Sequence, residues 1–595
     1  MDVSAGRPEL AARFDDLVSN GALVCPRTDR VISAHRVDEV VDALRELERA
    51  TSAGSWAFGY LAYEAAAALD SGLATHEPAP DGPPLLWFGL CGEPEGAEAL
   101  ALPGRVEPGY RAQRWRPAWD PAQHRGRVQR VRAHIRAGDV YQCNLTMQLR
   151  SRVTGDLRAL YADLATAQRG AHSAYLDTGR YVVLSASPEL FFEWSGDRLV
   201  LRPMKGTARR GRTLAEDELL ANRLRTSEKE RAENVMTVDL VRNDVGRVAR
   251  TGSVAVSALC ALERFDTVFQ MTSEVTARAP ESLTLVELLR ALFPCGSVTG
   301  TPKVRTMQLI RELEDGPRGV YCGAVGLLGP PWAATRARFN VAIRTMVIDR
   351  ETGLASYGTG GGITWSSEPA AEYAEVVAKT AILHHRPAVF QLRETMAYHL
   401  GTGIRHRDRH LARLGRSAEY FGFAFDADEV GARLDALAKA PDPAMIRLAL
   451  HRSGQATITL EPLPDAPDRP VQLVVDPEPI DSGEVWPYHK TSRREPYYRR
   501  RCRHPGADDI LLVNEAGELT ESTIANLAVR LGGQWWTPPV GSGCLPGIER
   551  EQLIERGILR ERTLWPEDLG RADALALVSS VRGWRGATLL DPPGD

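Results

Sequence analysis

Hydrophobic and polar positions alternate along this chain in two rhythms, which predict strands in some stretches and helices in others. Residues 181–192 hold an apolar run, a Ser-Pro bend and a second apolar run preceded by one acid, a pattern typical of two consecutive strands. Residues 41–50 and 124–137 repeat their apolar side chains at helical spacing. The pattern therefore predicts a mixed chain of helices and strands.

One lysine stands out against this pattern. Lys205 lies between an apolar, strand-like run and a Gly-Thr turn, and Glu189 follows the Ser-Pro bend one predicted hairpin earlier. Opposite charges inside apolar β-structure are costly unless they are paired or used. A lysine that loses solvation has a lowered pKa and can act as a nucleophile. A surface lysine after a turn is the alternative, and this stretch alone does not decide between them.

A predicted helix after Ser227 carries two acids on one face. Ser227 is a good N-cap, Glu230 occupies the capping-box position, and Glu233 lies three residues further on. Two such helices can hold a hard divalent cation, because Mg²⁺ takes few carboxylates together with waters and an anionic substrate. A solvated acidic face is the alternative for one helix alone.

A second acidic pair follows a glycine-rich stretch. Residues 358–364 are expected to form a turn whose backbone N–H groups can bind a carboxylate. Ser366 or Ser367 is expected to cap the next helix, on which Glu372 and Glu375 again share one face. This repetition favours a cation site. Arg344, predicted on an apolar strand, suits a substrate carboxylate or a structural ion pair.

Composition sets the outer bounds. A chain of 595 residues with 43% hydrophobic and 25% charged residues is expected to form several ordinary globular domains. The net charge of −4 gives no basic footprint for nucleic acid. The 8 cysteines are scattered without CxxC spacing, and neither a signal-peptide core nor an apolar run of membrane-spanning length is present. We therefore expect a cytoplasmic enzyme without a membrane or nucleic-acid partner.

Five ordered strings carry a family resemblance. They are residues 187–189 (Ser-Pro-Glu), 233–244, 296–303, 321–326 and 358–375. On these strings, residues 120 to 380 resemble the chorismate-utilising enzymes, which include anthranilate synthase, isochorismate synthase, salicylate synthase and aminodeoxychorismate synthase component I. The resemblance implies an α+β fold, with antiparallel sheets packed as a sandwich, helices outside, and chorismate and Mg²⁺ in the cleft.

Lys205 distinguishes members within this family. Anthranilate synthases carry a small residue at this position, whereas component I of aminodeoxychorismate synthase carries Lys in a Pro-x-Lys-Gly-Thr context, as here. The resemblance implies that Glu189 protonates the departing 4-hydroxyl, Lys205 attacks C2, and ammonia adds at C4 as the lysine leaves. Gln270 stands where anthranilate synthases have a histidine linked to pyruvate elimination, so the product is expected to remain aminodeoxychorismate.

The resemblance assigns further roles by position. The Mg²⁺ ligands are Glu230, Glu233, Glu372 and Glu375, with Glu233 and Glu375 favoured as direct ligands. The substrate-binding residues are Thr299, Thr301, Tyr321, Arg344, Gly360, Gly361 and Gly362. The sequence holds no glutaminase module, so ammonia is expected from a separate glutamine amidotransferase subunit or from solution.

A second enzyme is predicted after residue 385. The ordered set runs from a strand at 389–396 to an isolated lysine, a strand-turn-strand and a Gly-Ile helix start, and it resembles the fold-type IV, branched-chain-aminotransferase-like pyridoxal phosphate enzymes. By this resemblance Lys490 is the Schiff-base lysine and Glu521 is the acid at the pyridine nitrogen. The phosphate-binding residues are Arg413, Gly547, Ile548 and Ser580. Glu549 replaces the threonine that many relatives have, which puts one phosphate contact in doubt.

The two resemblances together predict a bifunctional enzyme that makes 4-aminobenzoate from chorismate. The predicted domains are the N-terminal part of the synthase (1–115), the chorismate-binding domain (116–384) and a two-subdomain pyridoxal phosphate domain resembling aminodeoxychorismate lyase (385–595), through which a homodimer is one option. One rival is an anthranilate or 2-amino-2-deoxyisochorismate type synthase fused to a branched-chain or D-amino-acid aminotransferase. Another is a catalytically silent subunit that binds the amidotransferase, and the co-occurrence of both lysines and their acids argues against it.

Overall fold

A computed structural model describes residues 10–100, 109–265, 268–384, 389–437, 441–465 and 469–590 of the chain. The chain divides into two compact units, Met1–Arg209 with Ala221–Val389 and Arg210–Leu220 with Phe390–Asp595. The predicted domain start at residue 385 falls in residues 385–388, which lie outside the described part. The short segment Arg210–Leu220 belongs to the second unit although it lies within the predicted synthase sequence.

The first unit is built mainly of strands. Its strands are β1 Ala12–Asp16, β2 Gly21–Cys25, β3 Arg30–Ala34, β4 Trp56–Leu61, β5 Leu86–Cys91, β6 Glu95–Glu98, β7 Tyr110–Ala112, β8 Arg116–Pro117, β9 Gln142–Gly155, β10 His172–Asp177, β11 Tyr181–Ser187, β12 Leu190–Ser195, β13 Arg198–Arg202, β14 Met204–Arg209, β15 Ala255–Arg264, β16 Val268–Arg278, β17 Gly300–Thr301, β18 Ala324–Leu328, β19 Ala337–Val341, β20 Thr345–Asp349 and β21 Leu354–Ile363. Its helices are α1 Val37–Ser52, α2 Ala66–Leu69, α3 Pro121–Arg136, α4 Leu157–Gln168, α5 Leu214–Thr226 (which starts in the second unit), α6 Glu228–Gly246, α7 Leu285–Leu292, α8 Lys303–Leu313 and α9 Pro369–Ala378.

These strands form two antiparallel sheets. The first runs β17-β9-β21-β20-β11-β10-β1-β2-β6, with β7 and β8 also paired to β9. The second runs β14-β16-β13-β12-β19-β18-β4-β5-β3, with β15 also paired to β16. The sheets face each other, because Ala174 and Val183 of the first pack in one cluster with Phe58 and Tyr60 of the second. This is the predicted sandwich.

Helices cover the outer faces of both sheets. Val182 and Leu184 of β11 pack against Leu160 and Leu164 of α4, whereas Val183 points into the sandwich. Because both faces of β11 are buried, the strand reads as a continuous apolar run rather than an alternating one. On the second sheet, α1 and α7 supply the covering side chains. The helices therefore lie outside the sandwich, as predicted.

The described residues among the first 115 take part in both sheets. The strands β1, β2 and β6 belong to the first sheet, and β3, β4 and β5 belong to the second. Their side chains share the inter-sheet cluster with residues from the catalytic stretch, for example Phe58 with Val325. This region is an integral part of the sandwich.

The second unit contains two further sheets. Its strands are β22 Leu392–His399, β23 Gly403–Ile404, β24 Ala444–Leu450, β25 Ala456–Pro462, β26 Val471–Val475, β27 Asp509–Val513, β28 Leu519–Ser522, β29 Asn526–Leu531, β30 Gln534–Thr537, β31 Leu559–Glu561, β32 Ala574–Ser579 and β33 Gly583–Leu589. Its helices are α10 Arg407–Phe421, α11 Ala427–Leu437, α12 Glu495–Cys502, α13 Ile548–Glu555 and α14 Pro566–Leu569. One sheet runs β23-β22-β24-β25 and the other runs β28-β27-β26-β33-β32-β29-β30-β31. Each sheet packs its own apolar core, which gives the predicted two subdomains.

Three local predictions were wrong. Residues 358–363 belong to β21 and are not a turn, because each of them pairs with β9. The N-cap of α9 is Glu368 rather than a serine; Ser367 instead accepts a hydrogen bond from the Thr364 backbone. Arg344 lies in the connection between β19 and β20, with a left-handed backbone (φ 50°), and not on a strand. Ser227 does cap α6, accepting a hydrogen bond from the Glu230 backbone.

Within the described ranges, every helix is too short or too polar to cross a bilayer.

Candidate active sites

Lys205 lies in a bulge of β14. The pairing of β14 with β16 shifts register between Met204 and Thr207, and Gly206 has a left-handed φ of 96°. Gln270 of β16 holds the bulge from both sides: its Nε2 donates to the Gly206 carbonyl (3.0 Å), and its Oε1 accepts from Thr207 Oγ1 (3.0 Å). The predicted Gly-Thr turn is therefore a bulge, which aims Lys205 away from the regular ladder.

Glu189 and Lys205 share a desolvated environment. Glu189 follows the β11–β12 bend, is almost fully buried, and has one oxygen, Oε1, without a hydrogen-bond partner among the described residues. Burial raises the pKa of Glu189 to about 7, while Ser297 and Lys205 act to lower it. Burial lowers the pKa of Lys205, and Glu233 and Glu189 oppose that shift. A buried acid that is half protonated near neutrality is suited to donate a proton.

The four predicted metal ligands lie around the same space. A Cβ built on Gly206 would lie 3.3 Å from Glu230 Oε2, and one built on Gly361 would lie 3.3 Å from Glu372 Oε2. Burial raises the pKa of Glu230, Glu233 and Glu372. Their like charges raise it further. Gathered carboxylates of this kind are the donor set that Mg²⁺ accepts.

Glu375, the fourth predicted metal ligand, forms an ion pair with a lysine. Lys379 Nζ lies 2.7 Å from Glu375 Oε1 and donates to the Gly360 carbonyl (2.9 Å). Burial acts to raise the pKa of Glu375, but Lys379 outweighs it and the pKa is lowered. Across the described part of the chain, no three acid, histidine or cysteine side chains converge closely enough to hold an ion by themselves. An ion here would need oxygens from water and substrate, which is usual for Mg²⁺.

Glycines of β21 make room for Lys205. A Cβ on Gly362 would lie 2.7 Å from Lys205 Nζ and 2.5 Å from Gln142 Nε2, and one on Gly358 would lie 2.2 Å from the Tyr321 ring. Since contacts shorter than 3.0 Å force neighbours to move, a side chain on this face would displace Lys205 and Gln142 at Gly362 or the Tyr321 ring at Gly358. The glycine-rich part of β21 thus forms a floor without side chains beneath Lys205, called the glycine floor below.

Three other predicted substrate residues, Thr299, Thr301 and Arg344, have separate sets of contacts. Thr301 pairs with Gln142, whose side chain approaches Gly362, and Thr299 is fully buried with its hydroxyl donating to the Cys295 carbonyl (3.2 Å). Arg344 donates to the side chain of Gln168 at the end of α4. Its carbonyl accepts a hydrogen bond from the Ala186 backbone of β11 (3.1 Å). The structure brings together Lys205, Glu189, the acids and the glycines.

Three residues of the Lys205 site were not predicted from the sequence. Lys379 lies four residues after Glu375, a helical ion-pair spacing that was visible in the pattern. Asn234 donates to the Lys205 carbonyl (3.0 Å), and the side chain of Gln142 of β9 lies, like Lys205, above Gly362. Neither position has a local sequence pattern that predicts this role.

In the second unit, the predicted cofactor residues line a single cavity of about 370 Å³. They are Arg413, Lys490, Glu521, Gly547, Ile548 and Ser580. Burial lowers the pKa of Lys490 to about 8, and Arg413 acts in the same direction. Burial raises the pKa of Glu521 to about 7. Its carboxylate accepts hydrogen bonds from the Leu545 backbone (3.1 Å) and Asn526 Nδ2 (3.3 Å).

Arg413 is held rigidly by two residues that sequence reasoning missed. Its Nε and Nη2 donate to the two oxygens of Glu394 (2.9 and 2.7 Å), and Glu394 also pairs with His410 Nδ1 (2.7 Å). Although burial acts to raise it, the pKa of Glu394 is lowered to about 2 by Arg413 and His410. Arg413 Nη1 donates to the Pro546 carbonyl (3.0 Å), next to the start of α13. The guanidinium is thus fixed beside a helix N-terminus that can bind phosphate.

Glu549 has partners of its own. Arg405 Nη2 lies 2.7 Å from Glu549 Oε1, and His406 Nε2 lies 3.2 Å from Oε2. At the same turn, a Cβ on Gly547 would lie 1.9 Å from Asn526 Oδ1, so this position requires glycine. The extra negative charge is therefore balanced locally, although the threonine hydroxyl of relatives is absent.

Comparison with known proteins identifies the class. Residues 19–385 match the family described as chorismate binding enzyme, and the chain belongs to this family. Residues 391–590 match the family described as amino-transferase class IV.

Curated relatives sharpen the first match. The chain is 40% identical over 252 residues to aminodeoxychorismate synthase component 1 of Bacillus subtilis (strain 168), covering 42% of this chain and 53% of that protein. It is 43% identical over 250 residues to aminodeoxychorismate synthase of Streptomyces griseus, covering 42% and 34%. Anthranilate synthase component 1 of Aquifex aeolicus (strain VF5) is 38% identical over 270 residues, covering 45% and 53%. The chain spans a third to three-fifths of the length of the curated relatives it matches.

A solved structure supports the fold. Anthranilate synthase component I from Streptococcus pneumoniae TIGR4 superposes with a TM-score of 0.54 at 24% identity, covering 64% of this chain and 95% of that one. This likeness confirms the sandwich of the first unit. It does not separate the two kinds of synthase.

Proposed function

We propose that this chain makes 4-aminobenzoate from chorismate in two steps, one in each unit. The observation that carries the proposal is the desolvated Lys205 over the β21 glycines, with the proton-donating Glu189 beside it. By the resemblance, synthases that aminate C4 carry a lysine at this position, whereas anthranilate synthases carry a small residue.

In the first step, Glu189 protonates the 4-hydroxyl of chorismate, which leaves as water. The Lys205 amine forms a bond to C2 as the ring double bonds shift. Ammonia then adds at C4, the double bonds shift back and the C2–lysine bond breaks. The net reaction converts chorismate and ammonia to 4-amino-4-deoxychorismate and water. Mg²⁺ held by Glu230, Glu233, Glu372 and Glu375 would offset the charge of the substrate carboxylate.

Gln270 supports release of the aminated product without loss of pyruvate. Both polar atoms of its side chain are engaged in holding the Lys205 bulge. An amide is a poor proton carrier, so this position supplies no base for elimination. The anthranilate synthase relatives are nearly as similar in overall identity, so these residues, and not the identity, favour amination at C4.

The ammonia is proposed to come from a separate glutamine amidotransferase subunit. The relatives named component 1 imply a second component in those proteins. Free ammonium is expected to serve in its absence.

In the second step, the residues of the second cavity would hold pyridoxal phosphate. When bound, this cofactor supplies an electron sink next to the substrate amine. Arg413 and the N-terminus of α13 suit the phosphate, with Ser580 beside them. Glu521 suits the pyridine nitrogen. Lys490, with a pKa near 8, is suited to take the proton from C4 of 4-amino-4-deoxychorismate, so that pyruvate leaves and the ring becomes aromatic.

The charge of this cavity favours the lyase over a branched-chain aminotransferase. Seven arginines line it, against the two acids Glu521 and Glu549. The arginines are Arg393, Arg413, Arg447, Arg493, Arg494, Arg501 and Arg582. A substrate with two carboxylates matches this excess, whereas an amino acid with an apolar side chain does not.

The direct experiment is incubation of the chain with chorismate, ammonium, Mg²⁺ and pyridoxal phosphate, with products separated by chromatography. We expect 4-aminobenzoate and pyruvate in equal amounts. Formation of 2-aminobenzoate, or of no aromatic amine, would contradict the proposal. Replacing ammonium by glutamine and a matching amidotransferase tests the partner.

A further inference from the structure

The first unit holds a second cavity, of about 770 Å³, beside β21. Ser356 and Gly358 line it, whereas Gly362 lies against Lys205. Because side chains alternate along a strand, these even-numbered positions face the same way, and a rise of about 3.3 Å per residue puts Ser356 about 20 Å from Gly362. The cavity and the candidate chorismate site therefore use one face of β21 at different ends.

Rings and aliphatic side chains form much of the cavity wall. They include Trp119, Tyr181, Tyr321, Met147 and Val347. The volume lies within the range of small-molecule sites, about 300–1,000 Å³. Flat aromatic walls favour a planar ring as the occupant, by stacked or edge-on contact.

Two arginines face each other at this cavity. Arg116 of β8 is the register partner of Arg150 of β9, and Arg150 is the register partner of Ser356. Both arginines are exposed and line the cavity. Within the described residues, no ion pair joins either guanidinium to a carboxylate. Like charges directly opposite on a sheet repel, and an anion between them would remove that cost.

The acids around the cavity are already engaged. Glu64 accepts two backbone hydrogen bonds (2.7 and 2.9 Å), Glu314 pairs with Arg318 (2.7 Å), Asp315 pairs with Arg127 (2.6 Å), and Asp349 pairs with Arg180 (3.0 Å). Backbone hydrogen bonds do not cancel the charge of Glu64, but Arg116 and Arg150 outnumber this one acid, so the charge left for a ligand is positive.

We propose that this cavity binds a small aromatic carboxylate, with its carboxylate between Arg116 and Arg150 and its ring against the aromatic wall. The cavity shares Tyr321, a predicted substrate residue, with the border of the Lys205 site, and its lining includes neither Lys205 nor Lys490. The Tyr321 ring lies on Gly358 and forms part of the wall, so an occupant restrains the side chain that borders the glycine floor of the Lys205 site. Through this contact a bound carboxylate would change the rate of the amination step, so the cavity is an effector site. This role rests on the proposed function.

Binding is tested on the full chain by calorimetric titration with benzoate and with 4-aminobenzoate, using aniline as the probe that lacks a carboxylate. We expect saturable binding of both carboxylates and none of aniline. Arg150→Gln and Arg116→Gln should each weaken it about tenfold or more, because each removes a charge-assisted hydrogen bond. Arg152→Gln, two residues along β9, removes the same charge from an arginine that donates to the Thr352 carbonyl, and should leave binding unchanged.

A cavity-filling variant, Ser356→Phe, keeps both arginines and should also abolish the binding of benzoate, with its fold checked by circular dichroism. Equal affinity in every variant, or no saturable binding to the native chain at millimolar concentration, would overturn the site. Because the titration needs no turnover, it remains decisive even if the chain makes no 4-aminobenzoate. The effector role is tested separately: benzoate should change the rate of chorismate consumption in the native chain and not in Arg150→Gln.

Discussion

Gly362→Ala tests whether the geometry around Lys205 governs the first reaction. Gly362 lies in extended β21, so alanine brings little backbone strain. Its methyl group would meet Lys205 Nζ at 2.7 Å and Gln142 Nε2 at 2.5 Å. Both are ends of flexible side chains, so they can move aside and the sandwich should fold.

The size of the effect follows from these distances. An ordinary contact begins at 3.4 Å, so Lys205 Nζ must move by 3.4 − 2.7 = 0.7 Å or more. A misplacement of about 1 Å can cost a reaction about 10²-fold. We therefore expect the rate of chorismate consumption to fall by about 10²-fold, which corresponds to about 2.7 kcal/mol in the barrier.

The assay follows chorismate consumption with ammonium and Mg²⁺, and in parallel the conversion of 4-amino-4-deoxychorismate to 4-aminobenzoate. Only the first rate should fall, because the change lies in the first unit. Gly96→Ala is the matched control, since it lies in β6 of the same sheet with nothing within 4 Å of the added methyl group. If Gly362→Ala consumes chorismate within threefold of the native rate, the assignment of this floor to the Lys205 site is wrong.

Three further predictions concern Glu189, the divalent cation and Lys490. Burial raises the Glu189 pKa to about 7, so its acid form is present below that pH, and the first rate at constant free ammonia should fall as the pH rises through 7. Glu189→Gln should remove this fall in rate and slow the reaction by about 10²-fold or more; the same pH profile in the native chain and in Glu189→Gln would refute the role. Chelation of divalent cations should stop chorismate consumption and leave the second step intact, and equal loss of both would argue against the acidic cluster as the cation site. Lys490→Ala should alter the absorbance band of bound pyridoxal phosphate and let 4-amino-4-deoxychorismate accumulate, whereas an unchanged band would remove Lys490 from the cofactor site.

Much of the fold could be predicted because it follows from local patterns. The strands around Glu189, the cap at Ser227 and the start of α13 after Gly547 each rest on apolar spacing or on capping chemistry that neighbouring residues supply. The cofactor residues of the second unit could be ordered along the chain by resemblance, and the structure places them in one cavity.

The errors arose where distant contacts decide the structure. Residues 358–363 have low strand propensity, yet β9 supplies a full set of partners and fixes them as a strand. The left-handed backbone at Arg344 turns its side chain to Gln168, which no local pattern indicates. The segment Arg210–Leu220 joins the second unit through contacts such as Tyr420 Oη with the Gly211 carbonyl (2.6 Å), two hundred residues away in sequence.

The central claim is that Lys205 is the nucleophile that directs amination to C4. Mass spectrometry of the chain mixed with chorismate and Mg²⁺, quenched before ammonium is added, tests it most directly. We expect one adduct, equal in mass to chorismate less water, on the peptide that carries Lys205, and its loss when ammonium follows. An adduct confined to another peptide, or a Lys205→Ala chain that still forms 4-aminobenzoate at the native rate, would contradict the claim.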